Sequence, residues 1–219
     1  MNRRLPDARM TIFDFDGTLC DSTAYWEKVL VDFLLERGVE PPDNCMRLVK
    51  AAGMAGGAAI FAERFELPET PERIAEAWRK SMARNYRESV AIRPGAVKLL
   101  ENLHSRSVTI CIATAMERDM VDPVLERCGV TELFDLVLTI EDSPSGQKSP
   151  DLFLRCLERF GRAPGETVVF EDSPHAAEIC RREGFTVIGV YDGGDDEDFE
   201  RIRPFCLFTI REFDELPVS

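Results

Sequence analysis

Short, almost wholly apolar runs recur along the chain at residues 10–15, 108–113, 136–140, 167–170, 185–190 and 206–210. Each is too short for a helix and reads as a strand covered on both faces. Amphipathic stretches separate them. In 96–103 the residues Val97, Leu100 and Leu103 share one stripe, and 121–128, 151–160 and 174–183 are patterned alike. This alternation predicts an α/β protein with right-handed crossovers and a mostly parallel sheet.

The rhythm breaks between the first two runs. Residues 20–92 contain no good strand, but Tyr25, Val29 and Phe33 recur every fourth position, as do Ile74, Trp78 and Met82. Those are helix spacings. Pro41 and Pro42 follow the first helical region after Gly38, Pro68 and Pro71 mark a later connection, and Gly53, Gly56 and Gly57 predict a bent or broken helix between. The expected organisation is an α/β core of residues 1–19 and 93–219 carrying an inserted helical domain of residues 20–92. Its hinges are expected near 20–22 and 90–94.

Composition narrows the class. The chain has 219 residues, long enough to fold without a disulfide or metal staple. Its formal net charge of −13 argues against a nucleic-acid partner, though not against a small anionic ligand in a locally positive site. The first ten residues are polar and charged without a signal-peptide pattern, and no run reaches membrane-span length. Seven cysteines, none in a CxxC pair, read as reduced thiols of a cytoplasmic protein. His104 and His175 have no partner at zinc-ligand spacing. The acidic stretch 192–200 reads as a solvated loop, with a second metal site as the lesser alternative.

Candidate chemistry gathers where strands end. The first run leads into Asp14, Asp16, Gly17 and Thr18. Carboxylates at the C-terminal end of a parallel strand face the crevice where α/β sheets bind ligands. At a period of two, Asp14 and Asp16 fall on one side, and two close carboxylates call for a proton or a hard cation such as magnesium. The run 167–170 leads likewise into Glu171 and Asp172, then Ser173 and Pro174, where Asp172 or Ser173 also suits a helix cap. Thr114 follows the second run and can hold phosphate oxygens or simply cap a helix. Lys148 precedes Pro150 and can neutralise a carboxylate and a phosphate, or stand as a solvated loop lysine.

DFDGT at 14–18, Thr114 in IATA, Lys148 in KSPD and Glu171-Asp172 in FEDS stand in the order of the four motifs of the haloacid dehalogenase superfamily, which this chain resembles from about residue 10 to 210. Within it the chain is similar to the helical-cap subgroup of phosphoglycolate phosphatases and β-phosphoglucomutases. The resemblance implies a Rossmann-like core and magnesium-dependent phosphoryl transfer through an aspartyl phosphate. It implies Asp14 as nucleophile and Asp16 as general acid and base. Asp14, Asp172 and the backbone carbonyl of Asp16 would be magnesium ligands, with Glu171 close behind. Thr114 and Lys148 would bind phosphate. The acid at position 16 favours a phosphatase or mutase over a dehalogenase. Lys148 departs from the pattern: Gln147 stands where the third-motif lysine usually does.

The resemblance also implies that the inserted domain closes over the phosphate and selects the substrate. Trp26 stands where the mutases usually carry a histidine, and GMAGG at 53–57 lacks the arginine of their short loop. Arg47 and Lys50 are candidate anion contacts, and Tyr25 and Trp26 candidate pocket or core residues. The expectation is a monomeric, cytoplasmic phosphatase acting on a small phosphorylated metabolite. The alternatives are a phosphomutase and a non-catalytic binding protein on the same scaffold.

Overall fold

The computed structural model describes residues 3–143, 149–194 and 196–217. The chain divides into two compact units, Met1–Asp21 with Ala91–Ser219, and Ser22–Val90.

The smaller unit is helical: α1 (Thr23–Leu35), α2 (Cys45–Val49), α3 (Gly53–Arg64) and α4 (Pro71–Glu88). Its core forms around Trp78, whose ring meets Phe33 and Phe61 edge-on at 5.8 and 4.8 Å between centroids. Ile74, Trp78, Met82 and Tyr86 are buried together, so the fourfold spacing of α4 is a packing stripe. Pro71 opens α4, where its missing N–H costs nothing. The helical break falls at the 3₁₀ turn Lys50–Ala52, just before Gly53. Beyond it Gly57 lets α3 approach α2, because a Cβ there would lie 2.7 Å from that of Val49. Glu27 accepts hydrogen bonds from the backbone N–H groups of Cys45 and Met46 at 2.8 and 2.7 Å, which occupies the N-terminus of α2. Tyr25 and Trp26 are half-buried, Arg47 is exposed and Lys50 half-buried.

The larger unit holds α5 (Ala96–Ser105), α6 (Arg118–Cys128), α7 (Asp151–Phe160), α8 (Pro174–Arg182) and α9 (Asp196–Ile202) around a parallel sheet. Its strands are β1 (Met10–Phe13), β2 (Thr109–Ala113), β3 (Leu136–Leu138), β4 (Thr167–Glu171), β5 (Thr186–Val190) and β6 (Phe208–Ile210), in the order β3-β2-β1-β4-β5-β6. Met10 and Ile12 face a core built with Leu152, Phe153 and Cys156 of α7 and with Ala177 and Cys180 of α8. On the opposite face Phe13 stacks on Phe170 at 4.7 Å, and Phe213 of the C-terminal turn packs on both rings. All seven cysteines are free thiols, and burial pushes the Cys206 thiol up to about 12. Among the described residues no helix is long and apolar enough to cross a membrane.

This is the parallel α/β sheet that the alternation predicts and the Rossmann-like core that the resemblance implies, with β4 one residue longer than its apolar run and the other strands shorter. The first strand stops at Phe13 rather than residue 15, because the chain turns at Gly17 and the N–H of Cys20 returns to the carbonyl of Phe15 at 2.8 Å. β3 stops at Leu138 because Asp142 accepts from the backbone N–H and the hydroxyl of Thr139, closing a capped 3₁₀ turn. From β1 the chain builds outward through β2 to β3, then returns to place β4 on the other side of β1. The crevice outside the carboxyl ends of β1 and β4 is thus the switch point where open α/β sheets bind ligands.

Candidate active site

Register delivers the acidic residues to that crevice. Phe13 pairs with Phe170, and the N–H of Asp14 donates to the Phe170 carbonyl at 3.0 Å, adding one rung beyond the end of β1. Asp14 therefore leaves β1 level with Glu171, the last residue of β4. One carboxylate oxygen each from Asp14, Glu171 and Asp172 lies within 4.8 Å of the others. Glu171 is buried, and Asp14 and Asp172 are half-buried.

Such a group is unfavourable when fully ionised. Burial, then the charge of Asp172, holds the Asp14 carboxyl well above the usual range, and Asp16 adds to this. Burial, then Asp14 and Asp172, raises Glu171 likewise. A hydrogen bond from the Ser173 N–H to Glu171 at 2.9 Å offsets this only in part. Three convergent carboxylates offering only oxygen match a hard divalent cation, which would relieve the repulsion. The carboxylate of Asp16 is not among the three, although it is near enough to act on Asp14. A period of two puts Asp14 and Asp16 on one side, but β1 ends at Phe13, before either residue.

Thr18 and Thr114 are both buried. Thr18 Oγ1 donates to Asp172 Oδ1 at 3.0 Å. The Thr114 hydroxyl donates to Asp14 and accepts from the Met116 N–H at 3.3 Å. Thr114 does not cap the following helix: α6 begins at Arg118, with Glu117 in the cap position. Ser173, not Asp172, caps α8, accepting from the Ala176 N–H. That leaves Asp172 for the cluster. Lys148 and Gln147 lie outside the described residues.

Two arginines were missed by the sequence reading. Arg118 Nη2 donates to the Val137 carbonyl and Asp142 Oδ2 at 2.9 and 3.1 Å, tying the start of α6 to the end of β3. Arg93 is buried, and its Nη1 donates to the Gly17 carbonyl at 3.0 Å. Its only signal was a charge set among the apolar linker residues Val90, Ala91 and Ile92.

The haloacid dehalogenase-like hydrolase family model matches residues 11–190. The chain is 31% identical over 216 residues to (DL)-glycerol-3-phosphatase 2 of Arabidopsis thaliana, covering 92% of this chain and 87% of that protein. It is 30% identical over 218 residues to (DL)-glycerol-3-phosphatase 1, mitochondrial, of the same plant, covering 92% and 70%. The crystal structure of a hydrolase from Pseudomonas syringae superposes with a TM-score of 0.73 at 27% identity, covering 94% of each chain. With the family model spanning the sheet from β1 to β5, this chain belongs to the haloacid dehalogenase-like hydrolases.

Proposed function

We propose that the protein is a magnesium-dependent phosphatase that hydrolyses a small phosphorylated polyol or sugar through an aspartyl phosphate on Asp14. The observation that carries this reading is the convergence of Asp14, Glu171 and Asp172 at the switch point of the sheet. The phosphatase names of the similar proteins support the substrate class.

Asp14, Asp172 and the backbone carbonyl of Asp16 would hold magnesium, with Glu171 beside them. When bound, the ion offsets their charge and polarises the phosphoryl oxygens. The raised state of Asp14 is consistent with this requirement, since a protonated carboxyl is a poor nucleophile. In the first step an Asp14 oxygen bonds to phosphorus as the bond to the leaving oxygen breaks. Asp16 gives that oxygen its proton. In the second step Asp16 takes a proton from water, whose oxygen attacks phosphorus and frees Asp14 and inorganic phosphate. The Thr114 hydroxyl and the Lys148 ammonium stabilise the transferring group.

The test is phosphate release from p-nitrophenyl phosphate with and without magnesium, in wild type and Asp14→Asn, followed by a panel beginning with glycerol phosphates and sugar phosphates. Magnesium-dependent release that disappears in Asp14→Asn is expected. Equal release by the two proteins would remove Asp14 as nucleophile. An isomerised sugar phosphate without free phosphate would make the protein a mutase.

A further inference from the structure

Arg93 stands outside all four motifs. It is 5% exposed. Its backbone N–H donates to the Leu19 carbonyl at 2.8 Å and its Nη1 to the Gly17 carbonyl at 3.0 Å, across 76 positions of sequence. Its Nε is buried without a partner among the described residues.

For packing alone this is a poor choice of side chain. A buried guanidinium loses hydration, and a buried donor left unmatched loses more. An apolar side chain of similar volume would fill the space without either loss. What the arginine adds is a hold on one carbonyl, in the turn that joins Asp16 to Thr18. That turn is packed closely against the acidic cluster. A Cβ on Gly17 would lie 2.9 Å from Asp172 Oδ2, and Thr18 donates to Asp172 Oδ1. The Gly17 peptide cannot shift without disturbing Asp172 on one side and Asp16 on the other.

We infer that Arg93 is a positioning residue: by fixing the Gly17 carbonyl it sets Asp16 and Asp172 relative to Asp14. Its kinetic consequences rest on the phosphatase reading, whereas its effect on the acidic cluster does not.

The experiment compares wild type with Arg93→Met and Arg93→Lys, after circular dichroism and a melting curve have shown each to be folded. A misplacement of about 1 Å in a reacting group costs about 10²-fold in rate, so kcat of Arg93→Met should fall by that order. KM should stay near wild type, because phosphate-binding groups are untouched. Arg93→Lys, which can still donate to the carbonyl, should recover part of the loss. Magnesium affinity measured by isothermal titration calorimetry should weaken by about 10-fold in Arg93→Met, as expected for loss of a support behind a metal ligand. A folded Arg93→Met with wild-type kcat and magnesium affinity would overturn the inference. If Arg93→Met does not fold, Arg93→Ala, which also removes the donor, takes its place, and a folded Arg93→Ala with wild-type kcat and magnesium affinity would overturn the inference. If wild type releases no phosphate from any compound, the phosphatase reading fails and Arg93 is judged on magnesium affinity alone.

Discussion

Thr18 Oγ1 donates a 3.0 Å hydrogen bond to Asp172 Oδ1, joining residues 154 positions apart. This bond fixes one oxygen of Asp172 and leaves Oδ2 turned towards Gly17. Gly17 has φ of +79°, and a Cβ there would lie 2.9 Å from that oxygen. Gly17→Ala therefore meets both left-handed strain and a contact too short to keep. The strain costs about 1–2 kcal/mol of stability. The contact is relieved by moving the flexible end of Asp172, which costs little stability but displaces a proposed metal ligand. Gly17→Ala should stay folded yet lose about 10²-fold in kcat/KM, consistent with a reacting group moved by about 1 Å. Melting curves alongside steady-state kinetics check this, and a variant that melts low but turns over normally would contradict it.

The pH dependence of stability follows from the sign of two shifts. Asp14 and Glu171 both stand above the usual carboxylate range, chiefly through burial and then through neighbouring charge. Between their unfolded and folded values the folded state binds more protons than the unfolded one. The metal-free protein should thus lose stability as pH rises from the ordinary carboxylate range through the raised folded values. The proposed magnesium would bind the deprotonated forms, so its stabilising effect should grow with pH. Melting temperatures at about pH 5 and about pH 8, with and without magnesium, test the sign. Asp172→Asn removes one of the repelling charges while keeping an acceptor for Thr18. The metal-free variant should melt about 2–4 °C above wild type, equivalent to about 1 kcal/mol, and should no longer respond to magnesium. A lower melting point in Asp172→Asn would mean that the cluster is not repulsive.

How far the sequence reaches can be judged at these same residues. Asp14, Glu171 and Asp172 were legible because each follows a buried apolar run, and parallel strands deliver their ends to one edge. The inserted helices were legible from the spacing of Phe33, Trp78 and their neighbours. The partition of the carboxylates was not. The apolar run predicts a first strand over 10–15, and a period of two puts Asp14 and Asp16 on one side, whereas the ladder's last rung is the Asp14 N–H and the chain then curls through Gly17. Thr114 was placed at a helix start, but α6 begins only at Arg118, since Glu117 takes the cap position. Arg93 was missed for a different reason: beyond a charge beside apolar linker residues, a side-chain hydrogen bond to a backbone carbonyl leaves no periodic trace.

The C-terminal turn offers a test of what supports the site from behind. Phe213 is 1% exposed and lies 6.5 and 5.7 Å from the rings of Phe13 and Phe170. Those two residues immediately precede Asp14 and Glu171. Removing the Phe213 ring opens a cavity against both strands, and Phe213→Ala should cost about 3–5 kcal/mol in urea unfolding. Phe213→Leu fills much of that space and should recover most of the loss. A loss below about 1 kcal/mol in Phe213→Ala would show that the turn only rests on the sheet.

The third motif gives the sharpest comparison of neighbouring residues. Asp142 ends the capped turn after β3, and α7 starts at Asp151, whose N–H donates to Ser149 Oγ at 3.1 Å. Gln147 and Lys148 fall between these points, outside the described residues. A phosphoryl group entering a site of three carboxylates adds negative charge, and a neutral amide does not compensate it. Only Lys148 brings a full positive charge, on a stem long enough to make up for a place one residue late. Lys148→Ala should lower kcat by about 10²–10³-fold, the range seen when one charge-stabilising donor is removed. Gln147→Ala should remain close to wild type. Steady-state kinetics on the best compound of the panel decide between them. The opposite ranking would give the position to Gln147 and leave the transferring phosphoryl group without a lysine from this motif.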